Sequence, residues 1–374
     1  YIPTDKKEVD LPKGCINTSY MFFDCRLPEG FSLGKGFDTS NVVDMKGMFL
    51  GCKFSEGFSL GDKFYTGNVK NMRHMFKECS FIPVGFSLGT KFDTSCVEDM
   101  SQMFMSCKLP EGFTLGDKFS TGSVTDMKDM FAGCTLPEGF ILGDKFDTSN
   151  VKDMSCMFME CKCPDGFSLG NKFDTSKVED MSNMFEQCTL QEGFSLGDKF
   201  DTSSVKDMSY MFSDCNLLED FTLGGKFDTS NVGDMSHMFT NCTLPEGFTL
   251  GDEFNTSNVN DMSDMFASCI FPEGFTLGDK FDTSSVITLN GMFYECNLTG
   301  NFNFGNKFDI SNVKNIDCAF KYCSLPSITN LKGRFEVEVL NSAYCAFDGC
   351  TLPDGTYLTD DYDIDEVVEK LYRN

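Results

Sequence analysis

The sequence has no tryptophan, and histidine occurs at only two positions, His74 and His237, both expected at the surface. Arginine is limited to Arg26, Arg73, Arg334 and Arg373. Histidine is the side chain that most often performs general acid–base catalysis, and arginine is the usual partner of carboxylate and phosphate groups. The scarcity of both argues against an enzyme, including a lyase of acidic sugars.

Positive charge is also outnumbered. The chain has 31 Lys and Arg against 57 Asp and Glu, a net charge of −26. Such a chain repels the phosphate backbone of nucleic acids and anionic membrane surfaces, so neither is an expected partner. No apolar run approaches the roughly 18 residues that a membrane span requires, so we expect no span.

The chain contains instead a repeat of 27 residues. Its register is marked by cysteines at Cys25, Cys52, Cys79, Cys107, Cys134, Cys161, Cys188, Cys215, Cys242, Cys269, Cys296, Cys323 and Cys350. Each step is 27 residues, except for one of 28 between Cys79 and Cys107. A period of this length indicates stacked units, because each repeat has an apolar face that only another copy can cover.

The regularity of this repeat predicts the domain organisation. We expect a repeat solenoid at 26–323, preceded by an N-terminal cap and partial repeat at 1–25. A degenerate repeat and a capping helix, Asp363–Tyr372, are expected within 324–374. The helix is predicted from apolar residues that recur at helical spacing.

Each repeat is predicted to contain one strand and one short helix. Phe167–Leu169 alternates apolar and polar residues between two turn segments, as a short strand does. Val178–Cys188 places apolar residues at helical spacing, and Asp174–Ser176 supplies an N-cap. The length of the unit matches leucine-rich-type repeats. We therefore predict a leucine-rich-repeat-like β/α solenoid of about thirteen coils, with one parallel sheet and short helices opposite.

The apolar positions predict a core of stacked columns. Its representative members are Met154, Met181, Phe158, Phe185, Cys134, Cys161 and Cys188. A cysteine repeated on an apolar face behaves as a small buried hydrophobe. A metal site needs clustered ligands, which the pair Cys161 and Cys163 lacks, so no metal or cofactor is expected. Cys318 and Cys345 share one position in adjacent coils and are a candidate disulfide.

The segment Thr148–Cys161, with the pattern Thr-Ser-Asn-Val-x-Asp-Met-Ser-x-Met-Phe-x-x-Cys, resembles a known repeat. It is similar to the mycoplasma-type surface-protein repeat of the BspA-like leucine-rich-repeat group, and the likeness covers residues 15–323. Ala319–Cys323 and Ala346–Cys350 resemble the companion BspA-type repeat. The resemblance implies a right-handed solenoid displayed on a surface, used in adhesion or assembly and without catalytic residues.

The turns offer the best candidate binding residues. They are acidic and nearly identical from repeat to repeat, which suits a partner contacted at many points. The candidates are Glu138, Asp144, Glu192, Asp198, Glu246 and Asp252. We expect a non-enzymatic repeat protein at the cell surface or outside the cell, bound to a protein partner or a larger assembly. The alternatives are a scaffold in a virion or in the cytoplasm, and a glycan-processing solenoid enzyme that uses acidic clusters.

Overall fold

The computed structural model describes residues 7–80, 82–298, 301–325, 339–351, 355 and 357. The predicted capping helix, Asp363–Tyr372, lies outside these residues. The chain forms two compact units, each of which is a stack of coils. The first unit is Tyr1–Val178 with Cys188–Phe200, and the second is Glu179–Gln187 with Asp201–Asn374. This division falls inside the predicted repeat region 26–323, and the cap boundaries at residues 25 and 323 stay predictions.

Regular strands are short in the described residues. Strand β1 (Glu8–Val9) pairs in parallel with β2 (Ser32–Leu33). Elsewhere, adjacent coils are joined through parallel bridges of single residues. In the first unit one ladder runs through Asn17, Asp44, Asn71, Asp99, Asp126 and Asp153. In the second unit the equivalent ladder runs through Asp180, Asp207, Asp234, Asp261, Thr288, Asn315 and Ser342. The repeat register is therefore the register of the pairing.

The strand predicted at Phe167–Leu169 is not formed, which corrects the expected continuous sheet, although copies of this segment do pair at Ser32–Leu33 in β2 and between Thr276 and Asn303. Its residues still alternate between buried and exposed, as the pattern indicated. However, the rings of Phe140 and Phe167 stack 6.4 Å apart, as do those of Phe167 and Phe194. Strands need a spacing of about 4.8 Å, so the coils lie too far apart here for a backbone ladder. The bridges form beside this segment instead, as between Lys162 and Thr189.

The predicted helices are wrong: the described part of the chain contains none. The segment that follows each ladder residue is a series of tight turns, in which backbone N–H groups bond alternately within and between coils. Met157 N donates to Met154 O at 3.1 Å, whereas Asp129 N donates to Ser155 O of the next coil at 2.9 Å. A helix would need every N–H for its own coil. The partners of alternate N–H groups are instead carbonyls of the neighbouring coil.

Two residues in each turn segment have left-handed backbone conformation. In the repeat that ends at Cys161 these are Cys156, with φ of 57°, and Glu160, with φ of 54°. A positive φ at the third residue of a turn is typical of type II turns and cannot be continued into a right-handed helix. Glycine occupies the position of Glu160 in other repeats, as at Gly51 and Gly133. The predicted cap also has a different role, because Asp174 Oδ1 accepts the N–H of Ser176 at 3.1 Å and closes a turn.

The core consists of stacked columns of identical side chains within each unit. The rings of Phe104, Phe131 and Phe158 stack at 5.7 Å and within 7° of parallel. The seven representative core residues predicted above are all buried. The cysteine column is hydrogen-bonded as well as buried, because the Cys134 thiol donates to Phe104 O at 2.9 Å. A small thiol therefore fills the space and links one coil to its predecessor.

A buried threonine column provides a second link between coils. Thr148 is fully buried, and its hydroxyl donates to Asp174 O at 2.8 Å. The same bond joins Thr121 to Asp147 O at 2.7 Å. In the second unit, Thr202 donates to Asp228 O at 2.7 Å. Each threonine thus donates a hydrogen bond to a backbone carbonyl of the next coil.

Glycine substitution distinguishes these turns from helices. We expect Glu160→Gly to leave the free energy of unfolding unchanged or to raise it slightly, because glycine adopts the left-handed conformation without steric cost. Glu160→Val should lower it by roughly 1 kcal/mol or more. Urea unfolding followed by circular dichroism measures both. As a control, Lys152→Gly, where φ is not positive, should be destabilising. A loss of stability in Glu160→Gly equal to that of Lys152→Gly would contradict the turn assignment.

The threonine column has its own test. Thr148→Val keeps the side-chain volume but removes the donor to Asp174 O. It should lower the free energy of unfolding by about 1–3 kcal/mol, since a buried carbonyl loses its partner. Thr148→Ser should retain much of the stability, and Thr125→Val, at an exposed site, should change it little. Equal stability of the Thr148→Val and Thr125→Val proteins would show that the threonine hydroxyl contributes nothing to the free energy of unfolding.

Candidate functional site

The predicted acidic turn residues are exposed in both units. Those of the first unit are Glu138, Asp144, Glu192 and Asp198, and those of the second unit are Glu246 and Asp252. Each stands on a tight turn. Phe140 N donates to Pro137 O at 3.1 Å across Glu138, and Phe146 N donates to Gly143 O at 3.1 Å across Asp144. The carboxylates are therefore presented at turn tips, where they are accessible to a partner.

An open groove separates two of these turns in the first unit. Its volume is about 480 Å³, and its lining includes Gly116, Asp117, Ile141, Asp144 and Lys145. The groove lies beside the Phe-x-Leu segments 113–115 and 140–142, which form no backbone bridge with each other. The side chain of Ile141 is 66% exposed at this place. The groove therefore combines an apolar surface with two exposed carboxylates, which suits the stem and head of a lysine or arginine.

Lysines near the turns compensate part of the acidic charge. In the second unit, Lys280 Nζ lies 3.0 Å from Glu253 Oε2 of the preceding coil. Asn306 Nδ2 donates to Asp279 Oδ1 at 3.0 Å. These contacts show that the turns around Gly251, Gly278 and Gly305, in adjacent coils, lie side by side within the unit. Exposed ion pairs of this kind are weak, so a bound cationic group can compete with the lysine.

The two histidines differ from the expected surface positions, since both are half-buried. Burial and the charge of Arg73 lower the pKa of His74 to about 4, and Arg73 Nε donates to its ring at 3.0 Å. His237 stacks on Tyr210 with ring centroids 4.2 Å apart, and its Nε2 lies 3.7 Å from Asp264 Oδ2. Tyr210, His237 and Asp264 are spaced by 27 residues, which indicates that they occupy the same position in adjacent coils and lie next to one another.

The candidate disulfide pair lies on adjacent coils of the second unit. Cys318 N donates to Tyr344 O at 2.9 Å, which fixes the two backbones as neighbours. The Cys318 thiol is free in the structure.

Within the described ranges, no group of three or more His, Cys, Asp or Glu side chains could hold a metal ion. Those ranges also include no helix long and apolar enough to cross a bilayer.

Comparison with known proteins identifies the repeat. A family model described as "Mycoplasma protein of unknown function, DUF285" matches residues 16–135, 86–193, 109–220, 165–269 and 245–352. The overlapping matches span most of the chain. The chain belongs to the DUF285 family. No curated protein and no solved structure gives a significant match.

In this DUF285 protein the most regular acidic residues have structural roles. Asp153 Oδ1, for example, accepts both the N–H and the hydroxyl of Ser155, at 2.9 Å and 2.6 Å. Burial raises the pKa of Asp126 in the same ladder, and the carboxylates of Asp99 and Asp153 add to the rise. The ladder therefore places like charges next to one another in adjacent coils. The same carboxylates accept the hydrogen bonds that close each turn.

The aspartates of the Asp-Thr-Ser motif are shifted in the opposite direction. Hydrogen bonds from Ser149 lower the pKa of Asp147, against the opposing effect of burial, and the charges of Lys172 and Lys199 lower it further. Ionised Asp147 thus stabilises the folded state, whereas ionised Asp126 disfavours it. The acidic positions of the DUF285 repeat are therefore of three kinds: hydrogen-bonded in the ladders, hydrogen-bonded in the Asp-Thr-Ser motif, and exposed at the turn tips.

These shifts predict opposite effects of the same substitution. Asp126→Asn should raise stability at pH 7, because the native pKa of Asp126 is raised and its ionised form carries a penalty. That penalty fades as the pH falls through the native pKa and is absent below the unfolded pKa. Asp147→Asn should lower stability at pH 7, and its deficit should fade as the pH falls through the lowered native pKa. Urea midpoints between pH 3 and pH 7 measure both.

Asparagine is compatible with both turns. Asn71 Oδ1 accepts the N–H of Arg73 at 3.0 Å in the ladder, and Asn255 Oδ1 accepts that of Ser257 at 3.0 Å in the other motif. The substitutions therefore change charge more than geometry. Effects of the same sign at pH 7 for Asp126→Asn and Asp147→Asn would contradict the assignment.

Proposed function

We propose that this chain is a non-enzymatic repeat protein that binds a protein partner through its acidic turns. The observation that carries the proposal is the exposure of the turn carboxylates, repeated from coil to coil in each unit. We further propose that the stacked coils form a solenoid of the BspA-like, leucine-rich-repeat type. The helices once expected for it are replaced by turns.

The partner is expected to be cationic and itself repetitive. One exposed carboxylate contributes little binding energy, since surface ion pairs typically contribute about 0–1 kcal/mol. Several equivalent sites on one rigid unit can act together, because the second contact is made at a high effective concentration. The groove beside Ile141 adds an apolar surface for the stem of a basic side chain. A basic protein segment fits these properties better than a small molecule does.

A role without catalysis is supported by how the other acidic residues are used. The aspartates of the ladders accept backbone hydrogen bonds, as Asp180 Oδ1 does from Ser182 at 2.9 Å. A general acid or base instead needs a carboxyl group that is accessible to a substrate. The turn carboxylates are accessible, but they are solvated and repeated alike, without a distinct pair. Adhesion or assembly is therefore the better interpretation.

We propose display at the cell surface or outside the cell, as the resemblance implies, with a virion or cytoplasmic scaffold as the alternative. In each of these settings the acidic turns would contact the partner protein. The six turn carboxylates would then have the same role, whichever compartment holds the protein. The location is tested by immunogold labelling of intact and permeabilised cells or particles.

Charge reversal at the turns tests the binding proposal. The triple variant Glu138→Lys, Glu192→Lys, Glu246→Lys should weaken binding to an immobilised lysine-rich repeat peptide by tenfold or more. Each single change should weaken it by less than about threefold, since contacts at several sites add together. Surface plasmon resonance at low and physiological salt provides the measurement.

The matched control reverses three exposed carboxylates at another repeat position, Glu160→Lys, Asp214→Lys and Glu295→Lys. It has the same net charge and should retain affinity within about threefold. Equal weakening by both triple variants would mean that overall charge, and not the turn edge, binds the peptide. Cleavage of a glycan by the wild-type chain would overturn the non-enzymatic assignment.

A further inference from the structure

Cys163 departs from the repeat at a buried position. Two residues after the repeat cysteine, neighbouring coils have leucine, as at Leu136 and Leu190. Cys163 occupies this position and is 4% exposed. It therefore adds a second thiol to a coil that already contributes Cys161 to the cysteine column.

The additional thiol meets the column residue of the next coil. The Sγ atoms of Cys163 and Cys188 lie 3.8 Å apart, and both residues belong to the first unit. The backbones are joined directly beside them, because Cys163 N donates to Thr189 O at 3.3 Å. Lys162 and Thr189 form a parallel bridge in the same place. The backbone is thus fixed on both sides of the two thiols.

Cys188 also contacts the backbone of the preceding coil. Its thiol donates to Cys161 O at 3.2 Å, so its sulfur lies between that carbonyl and the Cys163 thiol. Elsewhere in the column the thiol donates to a phenylalanine carbonyl of the preceding coil, as Cys134 does to Phe104 O at 2.9 Å. Cys79 and Cys107 each keep the ordinary bond, to Phe49 O and Phe76 O, and serve as a comparison pair.

Forming a disulfide here requires a shift of the backbone as well as rotation of the side chains. Bonded sulfurs lie about 2.05 Å apart, and their Cα atoms usually lie about 4.4–6.8 Å apart. Because Lys162 pairs with Thr189, Cys163 stands opposite Leu190 and is a diagonal neighbour of Cys188. Diagonal neighbours on paired strands typically have Cα atoms about 7–8 Å apart, just outside that range. The contact between the sulfur atoms is therefore the observation that favours a bond, and a small movement of one coil along the other would close it.

We propose that Cys163 and Cys188 form an oxidation site, in which hydrogen peroxide converts the two thiols into a disulfide that links adjacent coils. The Cys163 thiolate attacks one peroxide oxygen, forming a sulfenic acid and releasing hydroxide. The Cys188 sulfur then attacks the sulfenic sulfur, and the sulfenic hydroxyl leaves with the Cys188 proton as water. The hydroxide released in the first step takes up the proton that the Cys163 thiol lost on ionisation and becomes the second water. In total, two thiols and one peroxide give one disulfide and two waters.

The electrostatics agree with this order of attack. Hydrogen bonds from the Cys161 thiol, and then from the Cys188 thiol, lower the pKa of Cys163, although burial opposes the shift. The pKa of Cys161 is raised by its contact with Cys163 and by burial. Cys163 thus has more thiolate character than Cys161, and the thiolate is the form that reacts.

Peptide mapping can assign the bond. Trypsin separates the three cysteines of the cluster, because Lys152, Lys162, Lys172, Lys177 and Lys199 are cleavage sites. The resulting peptides are 153–162, with Cys156 and Cys161, 163–172, with Cys163, and 178–199, with Cys188. The full chain is treated with hydrogen peroxide, blocked with iodoacetamide and digested without reduction. Peptides 163–172 and 178–199 should appear as one linked species that dithiothreitol separates.

The control variant restores the repeat. Cys163→Leu introduces the residue found at Leu136 and Leu190, so it should fold normally and lose the linked species. In this variant the buried thiols of the cysteine column should react with peroxide as slowly as they do in the wild-type protein. In wild type, the yield of the link should exceed that of a Cys79–Cys107 link by tenfold or more. A link between 153–162 and 178–199, or a Cys79–Cys107 link formed while Cys163 stays reduced, would overturn the proposal.

Discussion

The alternating hydrogen bonds of the turn segment are the constraint on which the rest of the structure depends. One N–H closes a turn within its own coil, and the next donates to the neighbouring coil, as Met157 and Asp129 illustrate. This alternation requires left-handed residues at fixed places, such as Cys156 and Glu160. It fixes the rotation of each coil relative to the next. Identical side chains then fall above one another, and the buried columns follow.

The columns explain an unusual composition. A large aromatic ring stacks well on a copy of itself, which favours phenylalanine, and 41 occur in the chain. Cysteine and threonine serve where a small buried group must also bond a carbonyl of an adjacent coil, as Cys134 and Thr148 do. Nearly all buried polar groups therefore have a partner repeated along the stack. Stability then arises from many small and similar contributions between neighbouring coils.

The same arrangement leaves the acidic turns, the proposed binding positions, exposed to solvent. Ladder aspartates are occupied by turn hydrogen bonds, whereas the carboxylates at the turn tips, such as Glu138 and Asp144, face solvent. The turns around Gly116 and Gly143 line the groove beside Ile141. Departures from the repeat stand out against this background. Cys163 is one of them: it replaces the leucine of neighbouring coils, and its sulfur contacts that of Cys188.

The sequence by itself determined the register, the identity of the core residues and the exposure of the acidic turns. These follow from a 27-residue period and from the separation of apolar and polar positions, which are properties of one repeat. The secondary structure was decided by the tertiary structure. The spacing of Val178, Met181 and Cys188 fits a helix, but it also fits successive turns. Which of them forms depends on whether alternate N–H groups find carbonyls in the next coil. Likewise, Phe167–Leu169 alternates like a strand, yet the stacked rings hold the coils too far apart for pairing. Both outcomes depend on the distance between coils, which a single repeat does not encode.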